Sequence, residues 1–229
     1  MKKPFKISFW MGFVLFLLLI LPVLWVILLK QGEHYSEKLP ILYDRYLDPT
    51  TGDTIYHTID DFKLVNQNGD SVTLNDFKGK ILLVNFFFAS CPEVCPQMNR
   101  NVQHIYREFL KDSSVFFLSH TVDPENDTPA VLLEYSKQFG AELPKWQFLT
   151  GSKAMLYDLA ENSYKIPGAE DAVHGGFFHS ENVVLIDKEG KVRGVFHGRK
   201  GMHKEGNPKI IDAVRALLFE YKKPENITK

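Results

Sequence analysis

The residues best suited to chemistry lie in one short stretch, Ala89-Ser90-Cys91-Pro92-Glu93-Val94-Cys95-Pro96-Gln97-Met98, which holds both cysteines of the 229-residue chain. Two cysteines cannot build a disulfide scaffold, so a closely spaced pair points to redox or metal chemistry. A bent turn with three intervening residues can bring two sulfurs close enough to share a metal ion or to bond. The thiolate is the reactive and metal-ligating form, and the positive end of a helix favours it.

The elements that must position the pair are legible on both sides. Upstream, Ile81 to Phe88 is an unbroken apolar run, rich in branched and aromatic residues and short enough for a buried strand. Downstream, Met98, Val102, Ile105 and Phe109 recur at helical spacing and predict an amphipathic helix over about Pro96–Lys111. The cysteines then sit on a strand-to-helix turn at the end of a central strand, where open α/β sheets place their chemistry. Each precedes a proline, which disfavours helical backbone, so both are expected to be extended. Pro96 suits the first helical position, which puts Cys95 at or next to the N-cap as the expected thiolate.

The rest of the chain bounds the answer. With 27 Lys and Arg against 28 Asp and Glu, and no basic run in the folded part, nothing supports nucleic-acid binding. Residues 1–6 carry Lys2, Lys3 and Lys6 and form the expected cytoplasmic N-terminus. Residues 7–29 carry no charge, with Trp10 and Trp25 towards the two ends, and predict a single membrane-spanning helix. No small-x-small site follows Leu29, which argues against a cleaved signal peptide. Positive charge precedes the span, so the domain is expected outside the cytoplasm, in the periplasm of a bacterial inner membrane. Residues 30–56 read as a polar linker, 57–223 as the domain and 224–229 as a tail.

Within the domain, Asn68-Gly69 predicts a hairpin turn between strands near 62–66 and 71–74. Further strands are expected at 115–119, 146–149, 183–186 and 192–196, and helices at 129–139, 152–162 and 208–221. Strand, helix, strand, helix, then hairpin and helix is the thioredoxin order. The fold class is therefore α/β, a thioredoxin-like domain with an N-terminal β-hairpin extension behind a single transmembrane helix.

With these residues in view the sequence resembles the SCO/SenC family, exported copper chaperones for assembly of cytochrome c oxidase. The resemblance covers roughly Tyr56 to Tyr221. It rests on Cys91-Pro92-Glu93-Val94-Cys95-Pro96, on Val122-Asp123-Pro124-Glu125-Asn126-Asp127-Thr128-Pro129, on Phe148-Leu149-Thr150-Gly151 and on a histidine just before the Val183 strand. It implies one copper ion per chain held by Cys91, Cys95 and His179, with Cys91 and Cys95 also able to form a redox-active disulfide. His174, five residues upstream, is the alternative ligand. The chain departs from the family pattern in having Glu93 where Asp is usual between the cysteines, and Phe177-Phe178 before the histidine. The partners implied are the copper-binding subunit of cytochrome c oxidase and a periplasmic thiol reductant or copper donor, with the membrane contacted through the N-terminal helix.

Two thiolates and an imidazole form a soft, low-coordinate site suited to Cu(I), and zinc would accept the same donors. Glu93, Asp123 and His120 are expected to support the ligands or meet a partner. Asp123 is otherwise a turn start and His120 an ordinary hydrogen-bonding group. His34 and His57 read as solvated linker residues, His104 as surface, and His197 and Met202-His203 as a surface loop. The rival functions are a thiol–disulfide oxidoreductase and a redox or copper sensor without delivery. A peroxidase is disfavoured because Pro92, not Thr, stands three residues before Cys95.

Overall fold

The computed structural model describes residues 9–32, 38–166, 169–171, 177–199 and 207–222, with residues 9, 27–32, 169–171 and 177–179 described by their backbone. Two units separate, Met1–Lys38 and Leu39–Lys229. In the first, helix α1 runs over Phe9–Gly32, 24 residues interrupted in composition only by Pro22. Its fully described part, Trp10–Val26, is entirely apolar with exposed side chains. Among the described residues no helix is long and apolar enough to cross a membrane.

The second unit is built on β5 (Ile81–Phe87), whose seven residues are all buried. Helix α2 (Val94–Glu108) crosses over to β6 (Val115–Thr121), which pairs parallel with β5. Helix α3 (Pro129–Lys137) then leads to β7 (Trp146–Thr150), parallel to β6. On the other side of β5, β10 (Asn182–Ile186) pairs antiparallel, and β11 (Val192–His197) completes a hairpin with it. Helix α5 (Pro208–Lys222) follows. Strands β3 (Lys63–Asn66) and β4 (Ser71–Thr73) extend the sheet to the order β11-β10-β5-β6-β7-β3-β4. This is the thioredoxin-like arrangement expected from the element order, with Gly69 at φ +88 making the predicted hairpin turn.

Strand alternation sorts the core. On the face toward α2 and α3, Phe87 stacks on Tyr135 and a polar seam crosses the apolar packing. Asn85 donates to Asn99 at 2.9 Å, Ser119 donates to Asn85 at 2.7 Å, and Asn99 donates to the Tyr135 hydroxyl at 3.2 Å. Trp146 closes the seam by donating to Ser119 at 3.0 Å. Paired groups of this kind fix one helix position against the sheet where apolar packing alone would tolerate sliding. On the opposite face lie Phe62, Phe86, His120 and Tyr164.

The segment read as a linker, 30–56, packs on the domain within its described residues. It carries the hairpin β1 (Arg45–Leu47) and β2 (Thr54–Tyr56), and Leu42 donates its N–H to Val192. The docking uses the Leu39 and Leu42 side chains, which pack on the core, as well as backbone groups. His57, expected in solvent, meets the Ser163 carbonyl at 2.7 Å. The helix expected over 152–162 is found, as α4 (Lys153–Asp158) running on into a π-turn, Leu159–Ser163. Short strands β8 (Ala169–Asp171) and β9 (Phe177–His179), which pair with each other, were not expected.

Candidate functional site

The dithiol turn begins where β5 ends. Phe88 accepts the Cys91 N–H at 3.2 Å, and Glu93 (φ −139, ψ −57) is the N-cap of α2. Cys95 is thus the second residue of the helix rather than extended, and Pro96 the third. The first N–H groups of a helix have no intrahelical carbonyl to meet, so a proline there removes nothing. Its bias on the preceding residue is a preference that the docked helix overrides. The first regular bond runs from the Gln97 N–H to Glu93 at 3.3 Å.

This early start reverses the expected roles of the two sulfurs. Cys91, not Cys95, caps the open helix end, with its Sγ accepting the Cys95 N–H at 3.3 Å. The Cys95 thiol hydrogen-bonds to the Cys91 sulfur, and with the N–H groups of Cys95, Glu93 and Val94 this pulls the Cys91 pKa well below the usual thiol range against its burial. Cys95 is pushed up, first because its proton is held by Cys91 and then by burial. The pairing thus favours the charge on Cys91 and the proton on Cys95. Both are free and nearly closed off, at 7% and 5% exposure.

Asp127 is the acidic group built against this turn, and sequence reasoning gave it no role. Its Oδ2 accepts the Ala89 N–H at 3.0 Å and the Thr121 hydroxyl at 2.5 Å, tying the end of β6 to the start of the turn. Burial raises its pKa, and its charge adds to the rise at Cys95. The available signal was its place in the Val122–Pro129 stretch. Tyr135 completes the surroundings, its pKa raised by burial, with both cysteines adding to the rise.

The other expected residues are placed as follows. Asp123 is buried and accepts two contacts from the Asn126 amide at 3.1 and 2.9 Å, while its carbonyl accepts the Asn126 and Asp127 N–H groups, so it organises the turn. Glu93 is exposed and accepts from Gln97 at 3.2 Å. His120 is turned into the core, stacked on Phe86 at 5.1 Å and 3.2 Å from the Tyr164 hydroxyl, with Nδ1 unpartnered. Burial holds its pKa down at about 3. His197, expected on a loop, ends β11 and meets Glu181 at 3.0 Å. His179 ends β9, opposite Ala169, rather than lying in a loop; its side chain, like the whole of His174, is outside the described residues.

Among the described residues no group of three or more His, Cys, Asp or Glu is gathered for a metal. What is gathered is a pair of sulfurs, which fits the donor preference of a soft ion.

Residues 51–217 match the family profile described as SCO1/SenC. The chain is 30% identical over 152 residues to the SCO1 protein homolog of Bacillus subtilis, covering 64% of this chain and 77% of that protein. Its fold is similar to that of BsSco, in which a disulfide switch was identified and which is described as a member of the Sco family of cytochrome c oxidase assembly proteins. There the TM-score is 0.60 at 26% identity, covering 70% of this chain and 93% of the other. It is also similar to Bradyrhizobium japonicum ScoI with copper bound, at TM-score 0.54 and 28% identity, covering 69% and 97%. With a matched stretch that takes in the dithiol turn, Asp127 and the sheet beneath them, the chain belongs to the SCO1/SenC family.

Proposed function

We propose that the chain is a membrane-anchored copper carrier that serves assembly of the copper centre of cytochrome c oxidase. The observation that carries this reading is the pair of buried sulfurs at the start of α2, with the Cys91 Sγ accepting the Cys95 N–H, in a chain of the SCO1/SenC family. Copper is the cargo. Cys91 and Cys95 supply two soft donors, the N–H groups at the helix end hold the Cys91 charge while the site waits for metal, and His179 is the proposed third ligand, with His174 the alternative. Ligands drawn from a turn and a neighbouring strand, rather than from a closed cage, allow a recipient's donors to replace them one at a time. The recipient is the copper-binding subunit of the oxidase, and a periplasmic thiol reductant or copper donor resets the site.

Anchoring is part of the proposal. It rests on the sequence: the uncharged run from Ile7 to Leu29, longer than the fully described apolar part of α1 (Trp10–Val26), is the proposed anchor in the inner membrane, with Lys2, Lys3 and Lys6 in the cytoplasm and the domain in the periplasm.

The thiolate–thiol pairing favours a second reading, thiol exchange with the target. The Cys91 thiolate attacks a disulfide of the target and one target sulfur leaves as thiolate. Cys95 then gives up its proton and displaces the other, forming the Cys91–Cys95 disulfide as the target takes up two electrons.

Anaerobic copper titration of the reduced chain tests the main reading. One copper per chain is expected, abolished in Cys91→Ser and Cys95→Ser and weakened at least tenfold in His179→Ala, the loss of about 1.4 kcal/mol or more. Retention of copper by both cysteine variants overturns it. An unaffected His179→Ala with a weakened His174→Ala moves the third ligand to His174.

A further inference from the structure

Beside the dithiol turn lies a chain of polar contacts that the copper chemistry does not use. The guanidinium of Arg199 grips the Glu181 carboxylate at two points, Nε to Oε2 at 3.0 Å and Nη2 to Oε1 at 2.5 Å. Its Nη1 reaches toward Gln97 Oε1 at 3.5 Å, and Gln97 donates to Glu93 at 3.2 Å. Glu93 and Gln97 flank Cys95 in sequence, while Glu181 lies two residues after His179. The contacts therefore run from the sulfur-bearing turn to the segment between β9 and β10, two residues after His179, where His197 also meets Glu181 Oε2 at 3.0 Å.

The base of Arg199 is fixed by its neighbour. Gly198 donates its N–H to the Glu181 carbonyl at 2.5 Å, and its own carbonyl accepts from Asn101 of α2 at 2.6 Å. A Cβ at this position would lie 2.7 Å from Met98 Cγ, so only glycine allows the strand end this close to the helix. From that anchor the arginine has a short reach, and its planar fork matches the carboxylate in a way that a lysine cannot reproduce. The link to Gln97 is long for a hydrogen bond, which makes it the joint at which the assembly gives.

We propose that Arg199 and Glu181 are positioning residues, a clamp that sets the separation between the dithiol turn and the histidine strand before metal arrives. The purpose of the clamp rests on the copper-carrier reading; its existence does not. Both side chains are about a third exposed, so the pair adds little to global stability, and its effect is local.

Hydrogen exchange on the reduced, metal-free full chain tests it. In Arg199→Met and in Glu181→Gln, the amides of residues 93–95, 97 and 180–182 should exchange about fivefold faster, together, while those of 81–87 are unchanged. The charge-swapped pair, Glu181→Arg with Arg199→Glu, should restore much of the protection. Unchanged exchange, or a change on one side only, overturns the clamp. Copper titration of the same variants separates the two ideas. A wild-type chain that binds no copper sinks the carrier reading and leaves the exchange result to decide the clamp. Copper binding by Arg199→Met at full wild-type affinity removes the clamp from the site even if exchange rises.

Discussion

Two arginines six residues apart stand at opposite ends of the β10–β11 hairpin and behave differently. Arg193, near the closed end, is buried and saturated. It donates to Asp187 at 3.0 Å, to Glu220 at 2.9 Å, and to the carbonyls of Leu39 and Pro40 at 2.6 and 3.3 Å. Arg199, at the open end beside the dithiol turn, holds one carboxylate and is 32% exposed. The comparison separates what burial does from what charge does. A desolvated cation with every nitrogen engaged ties its own strand to three other segments of chain, because removing it strands its partners. A half-solvated one orients a site without committing the fold to it. The hairpin is thus rigid where it meets the N-terminal segment and adjustable where the chemistry lies.

The largest test of that contrast is Arg193→Met. Leaving Asp187 buried without its partner should lower stability by about 3–5 kcal/mol, read from urea unfolding, and release the amides of 39–42 to exchange. A similar loss in Arg199→Met would erase the distinction between the two ends.

A buried group that avoids charge altogether sharpens it. His120 is held neutral in the native state with a pKa of about 3, while in the unfolded chain it takes up a proton below its ordinary 6.5. The unfolded state binds the extra proton, so stability falls as pH falls through 6.5. By pH 5 the loss from this residue is about 2 kcal/mol. His120→Phe should flatten the stability profile between pH 6.5 and 5 by that amount. An unchanged slope would mean that the ring takes up its proton without unfolding.

Smaller effects follow. Tyr43→Phe removes the hydroxyl bond to the Lys165 carbonyl, a second fastening of the N-terminal segment, and should cost about 1 kcal/mol in the same unfolding assay. Arg199→Met should cost about 0.5 kcal/mol, shrinking further in 1 M salt, where exposed pairs are screened. Salt-insensitive destabilisation would mark it as a fold residue after all.

The parts of the molecule legible from sequence are those written in periodicity. The apolar run of β5, the helical spacing of α2 and the Asn-Gly turn each give a local pattern, and the dithiol turn follows from where they meet. The identity of the thiolate did not follow. It depends on whether α2 starts at Val94 or Pro96, a two-residue margin that propensity does not resolve. The docking of Leu39 and Pro40 was not legible because the segment has no period, although the Leu39 side chain packs on the core and both carbonyls meet Arg193. Strand β8 carries Glu170 and Asp171 in a three-residue span, too short and polar to register as a strand. Asp127 was hidden in a stretch whose Asp-Pro start drew attention to Asp123 instead.

The near-complete enclosure of Cys91 and Cys95 has a kinetic consequence. On the carrier reading, sulfurs this enclosed meet a recipient's donors only once the segment from Phe88 to Gln97 parts. Reagents then become calipers of that gap: iodoacetamide should modify the reduced chain faster than a bulky maleimide by a wider margin than on a free thiol. The rate-limiting event in transfer would be this breathing of the surface, not the exchange of ligands beneath it.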